Sequence, residues 1–322
     1  MGNVLFNYLG NGVSEDLREE IARHGKAYDA DDSIQLTPTL QMADTSRNVN
    51  RVKDLPKDQV YEGVQNPYVL VINNVNFKED PVPRNGAEHD LKNVETFLRE
   101  AGFESVEKRY DLEKKEMMAA FDETRKSIES GKHDGLICII MSHGDDRGIK
   151  CKNGETIPVD EITSKFRGSD ESCPQLAGKP KLFFLQACRG IVDDRGYRHA
   201  ASSQDDDVVA DSFSSERTSL TLPSDADFLI SYSTTTGYKS YRRFTMPTAS
   251  APPSETLGSW FIFTLMRVLR ENSHKDDLMT MLTKVNQEMI KYATGKGCKQ
   301  IPSHVSMLTR KVFFTNFFNK TF

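Results

Sequence analysis

Two side chains in this sequence are of the right kind to open an acyl bond by covalent catalysis. Cys188 lies in Gln186-Ala187-Cys188-Arg189-Gly190, and His143 in Met141-Ser142-His143-Gly144. A thiol attacks only as its thiolate, so a catalytic cysteine needs a base or a positive charge beside it. His143 can supply that. Glycine follows each residue closely, as Gly144 and Gly190, and lets the backbone turn sharply and approach a substrate. The backbone N–H groups of Gly144 and Cys188 are then candidates to face a developing oxyanion. No third residue that must orient His143 stands out. Cys138, in the middle of an apolar run, reads instead as a small buried hydrophobe.

A Cys and a His 45 positions apart must be brought together by the elements around them. Tyr68 to Ile72, Leu136 to Met141 and Lys181 to Gln186 are apolar runs of the kind found in strands buried on both faces. Leu91, Val94, Phe97 and Leu98 share one face of a helix that Gly102 closes. Residues 103–110 read as a strand, Leu112 to Ile128 as a second helix and Val159 to Phe166 as a short one. Asn153-Gly154 marks a hairpin between Ile149 and Ile157. Further on, Phe228-Leu229-Ile230 reads as a strand, Trp260 to Leu269 and Leu278 to Tyr292 as helices. Val305 to Leu308 and Val312 to Phe314 are the last ordered runs.

Strands alternating with helices predict an α/β fold with a largely parallel sheet covered on both sides. Ligands of such sheets sit beyond the carboxyl ends of the strands. His143 and Cys188 each follow such an end, so both are expected at one sheet edge.

Composition narrows the function. Of 322 residues, 37% are hydrophobic and 28% charged, an ordinary balance, and the net charge of −5 argues against nucleic acid as a partner. No stretch reaches the length of a membrane span and no secretory signal opens the chain. Met1-Gly2 invites myristoylation, but Phe6 stands where Ser or Thr is wanted. The five cysteines, Cys138, Cys151, Cys173, Cys188 and Cys298, fall in no metal or redox spacing, so free thiols in a reducing cytoplasm are expected. No metal or organic cofactor is implied.

Residues 1–66 are polar and rich in turn formers apart from a short helical stretch, Ser14 to Arg23, and are expected to be a flexible or removable leader. Order is expected to start at Tyr68. Residues 191–224 lack periodicity, and an insertion of that length inside a compact domain is usually functional or disordered.

Gln186 to Gly190 match the caspase signature Q-A-C-[RQG]-G, which has its histidine about 50 residues upstream. From Tyr68 to Phe314 the chain resembles the caspases more widely. The shared strings are Ile72-Asn73-Asn74, Met141 to Gly144, Gly178 to Lys181, Ala226 to Leu229, Tyr232-Ser233-Thr234, Gly258 to Phe261 and Gln300-Ile301-Pro302.

The resemblance implies a twisted, mostly parallel six-stranded sheet with helices on both faces. It implies a cysteine endopeptidase that cuts proteins after aspartate, with Cys188 as nucleophile and His143 as base. It also implies a zymogen with a flexible prodomain (1–54), a large subunit (55–211) and a small subunit (212–322), two such pairs forming a dimer across the last strand.

The substrate aspartate would be held by Arg84, Gln186 and Arg242, with Ser240, Tyr241 and Trp260 lining the cleft. A planar guanidinium grips a carboxylate through paired charged hydrogen bonds, so the chemistry agrees. Activating cuts are expected at Asp211, in Val208-Val209-Ala210-Asp211, with Asp194 and Asp207 as weaker alternatives. In the leader they are expected at Asp31 or Asp44. The short polar leader points to an executioner acting in apoptosis, with an upstream initiator caspase and inhibitor-of-apoptosis proteins as expected partners.

Three features depart from the family pattern. The Arg243 to Leu257 loop is long and rich in proline, Lys239 and Arg243 flank the pocket, and Thr294 to Lys299 is a short connection. Two competing readings make distinct demands. A non-catalytic regulator of caspase fold would lack Cys188, His143 or a pocket arginine. A nucleotide-binding protein would carry a glycine-rich loop after the first strand, where Asn73 to Phe77 stand.

Overall fold

The computed structural model describes residues 56, 58–61, 64–80, 82–190, 192–194, 223–241, 258–294 and 297–314. The expected leader cuts at Asp31 and Asp44, the helical stretch Ser14 to Arg23, the expected cut at Asp211, and Arg242 lie outside these residues.

Strand β1 (Tyr68–Asn73) is followed by helix α1 (Ala87–Ala101), β2 (Val106–Tyr110), α2 (Lys114–Ser130) and β3 (Leu136–Met141). A small antiparallel sheet comes next: β4 (Gly144–Asp145), β5 (Gly148–Lys150) and β6 (Thr156–Ile157), its last turn carrying Gly154 at φ 84°. Helix α3 (Val159–Ser164) leads to β7 (Lys181–Gln186), and beyond the linker lie β8 (Phe228–Tyr232), α4 (Trp260–Asn272), α5 (Leu278–Met289) and β9 (Ser303–Ser306).

The main sheet has six strands in the order β2-β1-β3-β7-β8-β9. All neighbours are parallel except β8 and β9, which run antiparallel. This is the α/β sheet expected from the alternation of elements.

Period-two alternation explains why the central strands read as unbroken apolar runs. Val69 and Val71 pack with Ile137, Ile139, Leu182 and Phe184 beneath residues of α1, α4 and α5. Leu70 and Ile72 pack on the other face with Cys138, Ile140, Phe183 and Leu185, against residues of α2 and α3. Each of these residues of the central strands thus belongs to one of two cores, and the sheet is the partition between them. Helix ends follow local chemistry. Gly102 closes α1 in the left-handed region at φ 68°, Glu113 and Glu116 form a capping box on α2, and Asp277 caps α5 by accepting from Met279 and Thr280 N–H.

Order begins earlier than Tyr68. Val60 bridges to Lys311, Tyr61 and Val64 are buried in the first core, and the Tyr61 hydroxyl donates to Asp227 Oδ1 at 2.6 Å. The apolar residues here are too sparse to show periodicity, and their partners lie some 250 positions away at Thr309 and Lys311. Val312 to Phe314 form no strand but bury their side chains all the same.

Candidate active site

The register of the sheet places the two reactive residues side by side. Met141 at the end of β3 pairs with Gln186 at the end of β7, and Ser142 N–H donates to Gln186 O at 3.0 Å. His143 and Cys188 each lie two residues beyond that pair. The backbones are in contact there: a Cβ on Gly144 would come within 2.7 Å of Cys188 O, so only glycine fits.

A third segment closes the site. Ser240, in the loop after β8, donates its N–H to Cys188 Sγ at 3.4 Å. Ser240 and Tyr241 line a cleft of about 340 Å³ together with His143 and Arg84. The His143 ring packs on Phe77, centroids 4.6 Å apart. Phe77 was no candidate in the sequence, where a single aromatic after a strand carries no pattern.

Cys188 is half-buried, whereas the other four cysteines are buried and all five are free thiols. Burial pushes the Cys151 thiol up to about 12 and raises Cys138 and Cys173 as well, which keeps them protonated.

Arg84 sits in the cleft wall although it is only 1% exposed. Its Nε donates to Asn74 O at 2.9 Å and its Nη2 to Asn73 Oδ1 at 2.5 Å, while Nη1 faces Asp90 Oδ2 at 3.5 Å. Gln186, also buried, donates from Nε2 to Ser240 Oγ at 2.8 Å, and Gln300 Nε2 reaches the same oxygen at 3.3 Å. An imidazole and a buried cation therefore meet in one cleft at the carboxyl end of the sheet, and Ser240 in its wall contacts the Cys188 sulfur.

That convergence matches one known family. Residues 66–313 fit the model of the caspase domain. The chain belongs to the caspase family. It is 38% identical over 255 residues to caspase-3 of Oryctolagus cuniculus and 35% identical over 255 residues to caspase-3 of Mesocricetus auratus, in each case across 76% of this chain and 82% of the relative. Among solved structures it resembles caspase-1 from Spodoptera frugiperda, with a TM-score of 0.64 and 28% identity, covering 80% of this chain and 91% of that one. The chain is thus a cysteine-type peptidase of the caspase family.

Within this caspase the remaining site candidates divide. Tyr241 lines the cleft, but Trp260 is 3% exposed and lies behind it, ring centroids 5.2 Å apart, with Tyr292 on its far side at 5.7 Å. Trp260 thus supports Tyr241 from the first turn of α4, whose side chains are mostly buried.

Lys239 stays partly exposed and pairs with a carboxylate in the loop after the nucleophile. Its Nζ pairs with Asp193 Oδ1 at 3.1 Å, and the Tyr241 hydroxyl donates to the same oxygen at 2.9 Å. Burial and that carboxylate raise the Tyr241 phenol above its ordinary range. Asp194 forms a backbone bridge with Lys299.

On the other side of Cys188 a second cavity, of about 250 Å³, is bordered by Asp145, Asp146, Arg147, Arg189 and Tyr232, with the Arg189 guanidinium stacked 3.8 Å from the Tyr232 ring centre. Asn73, Asn74 and Gln300 support the cleft. Their motif strings were visible in the sequence but their roles were not, since each acts through a partner remote in the chain.

Proposed function

We propose that this caspase is an endopeptidase that cuts proteins after aspartate, and that it is made as a zymogen activated by cleavage near Asp211. The observation that carries the reading is Arg84, a guanidinium 1% exposed in the wall of the cleft that His143 also lines. A buried cation in the cleft that His143 lines favours a substrate that brings a carboxylate, and an amide in its place would leave the charge poorly met. Gln186 and Arg242 are proposed to complete the grip.

In the proposed reaction Cys188 gives its proton to His143, and the thiolate attacks the carbonyl carbon after the substrate aspartate. The N–H groups of Gly144 and Cys188 receive the charge that forms on the carbonyl oxygen. When the C–N bond breaks, His143 returns its proton to the departing amine, leaving a thioester. His143 then takes a proton from water, whose oxygen attacks the thioester, and the carboxylic product leaves as the Cys188 thiol is restored.

Similarity to caspase-3 supports an executioner role in apoptosis, and the free cysteines fit a cytoplasmic setting. Dimerisation through β9, the edge strand of the sheet, belongs to the same proposal, as do activation by an upstream initiator caspase and control by inhibitor-of-apoptosis proteins.

The test is the intact mass of the wild type beside Cys188→Ala, together with turnover of fluorogenic tetrapeptides that differ only in ending with Asp, Asn or Glu. Fragments ending at Asp211 in the wild type alone, with turnover confined to Asp, are expected. Turnover that survives Cys188→Ala, or that ignores the final residue, would refute the proposal.

A further inference from the structure

We propose that Asp90 is a positioning residue for the specificity pocket: it fixes where Arg84 stands and thereby sharpens the choice of aspartate over glutamate. This deepens the reading above and rests on Arg84 being the group that meets the substrate carboxylate.

Asp90 lies in the first turn of α1 and is fully buried. A carboxylate removed from water at this depth is costly and persists only where it is paired and hydrogen-bonded. Its two oxygens are divided between two segments of the chain. Oδ2 faces Arg84 Nη1 at 3.5 Å, while Oδ1 accepts from the N–H of Ser259 at 2.6 Å and from its hydroxyl at 2.9 Å. Ser259 caps α4, whose next residue, Trp260, backs Tyr241. The turn before the cap is shaped around the same oxygen: a Cβ on Gly258, at φ 91°, would stand 2.5 Å from Asp90 Oδ1. One carboxylate thus joins the loop that carries Arg84 to the helix behind Tyr241.

The division of strengths says what Asp90 does for Arg84. The Ser259 bonds are short and lock the carboxylate in place. At 3.5 Å the Arg84 contact is long for a charged hydrogen bond and acts mainly as an oriented charge in a poorly screened interior. Asn74 O and Asn73 Oδ1 hold the guanidinium from the β1 side, and Asp90 holds it from the α1 side. Held from both sides, the guanidinium cannot shift along the pocket axis. Aspartate and glutamate carry the same charge and differ by one methylene, so the depth of the cation is what separates them.

The experiment compares kcat/KM for two tetrapeptides differing only in a final Asp or Glu, within each preparation of wild type, Asp90→Asn, Asp90→Glu and Ser259→Ala. The quotient of the two values does not depend on how much of the protein is folded, so lost stability alone cannot move it. In Asp90→Asn the Asp-over-Glu ratio is expected to fall about tenfold, the low end of what one methylene is worth in a fitted pocket.

Asp90→Glu keeps the charge but crowds Arg84, and should lower the ratio too; it decides the matter if Asp90→Asn gives no active protein. Ser259→Ala removes a cap bond and the hydroxyl bond to Asp90 but keeps the shorter N–H bond at 2.6 Å that holds the carboxylate beside Arg84, so its melting temperature should drop while the ratio stays within about twofold. An unchanged ratio in the Asp90 variants, or an equal fall in Ser259→Ala, overturns the proposal. A wild type that cuts after glutamate as readily as after aspartate sinks the pocket assignment of Arg84 itself.

Discussion

Burial sorts the thiols. Cys188 is half-buried, and Cys138, Cys151, Cys173 and Cys298 lie inside the protein. Alkylation needs both access and thiolate, and burial denies Cys138 and Cys151 both. A short pulse of iodoacetamide at neutral pH, followed by peptide mapping, is therefore expected to mark Cys188 first and to leave Cys138 and Cys151 unmarked until the protein is unfolded. Early labelling of Cys138 would contradict the buried β3. Cys188 and His143 were legible in the sequence because Gln186 to Gly190 match a specific signature with a histidine upstream, and both residues follow strand ends. Asp90 was not, since an aspartate in the first turn of a helix is an ordinary helix-start residue until its partner at Ser259, 169 positions away, is known.

The elements themselves were read well where periodicity is strong. β1, β3 and β7 announce themselves because two cores demand apolar side chains on both faces of the sheet. The edge strand β9 is harder to read: its burial is partial, and it carries a histidine among residues that would serve equally in a loop. His304 in that strand contacts Ser231 Oγ through Nδ1 at 2.9 Å and Asn286 Oδ1 through Nε2 at 3.1 Å, joining β8, β9 and α5. Burial pulls its pKa down to about 4 from 6.5. The unfolded chain then takes up the proton before the folded one does. The stabilisation is whole above about pH 6.5 and is lost as the pH falls towards about 4. Between pH 7 and 4.5 that loss is expected to reach about 2 kcal/mol. Urea unfolding of the wild type beside His304→Ile should show the variant losing less stability over the same interval. Parallel losses in both proteins would refute the assignment.

At the scale of the whole molecule, the sheet ends on β9 with β8 as its neighbour, and Val305 on that strand is 45% exposed. An edge with an outward apolar side chain is suited to pairing with a second copy, and lysine is a common natural means of blunting such edges. Val305→Lys is expected to shift the sedimentation profile from dimer towards monomer at micromolar concentration. A profile identical to that of the wild type would place self-association elsewhere.

The link between the nucleophile loop and the pocket loop has a broader consequence. Arg189 N–H donates to Tyr238 O, Gly237 N–H to Arg189 O, Val192 N–H to Gly237 O and Lys239 N–H to Val192 O. A Cβ on Gly190 would stand 2.1 Å from Gly237 O. This seam is made of main chain, as is the pairing of β7 with β8, and both join segments on opposite sides of the linker. The covalent connection is therefore dispensable to the architecture. Severing it turns one polypeptide into two that share a sheet, and neither can be diluted away from the other without tearing open a hydrophobic interior. Because the stitches are peptide groups of residues 189–192 and 237–239, they make no demand on the side chains between them, and under the activation proposed above the linker can serve as a timing element tuned apart from the machinery.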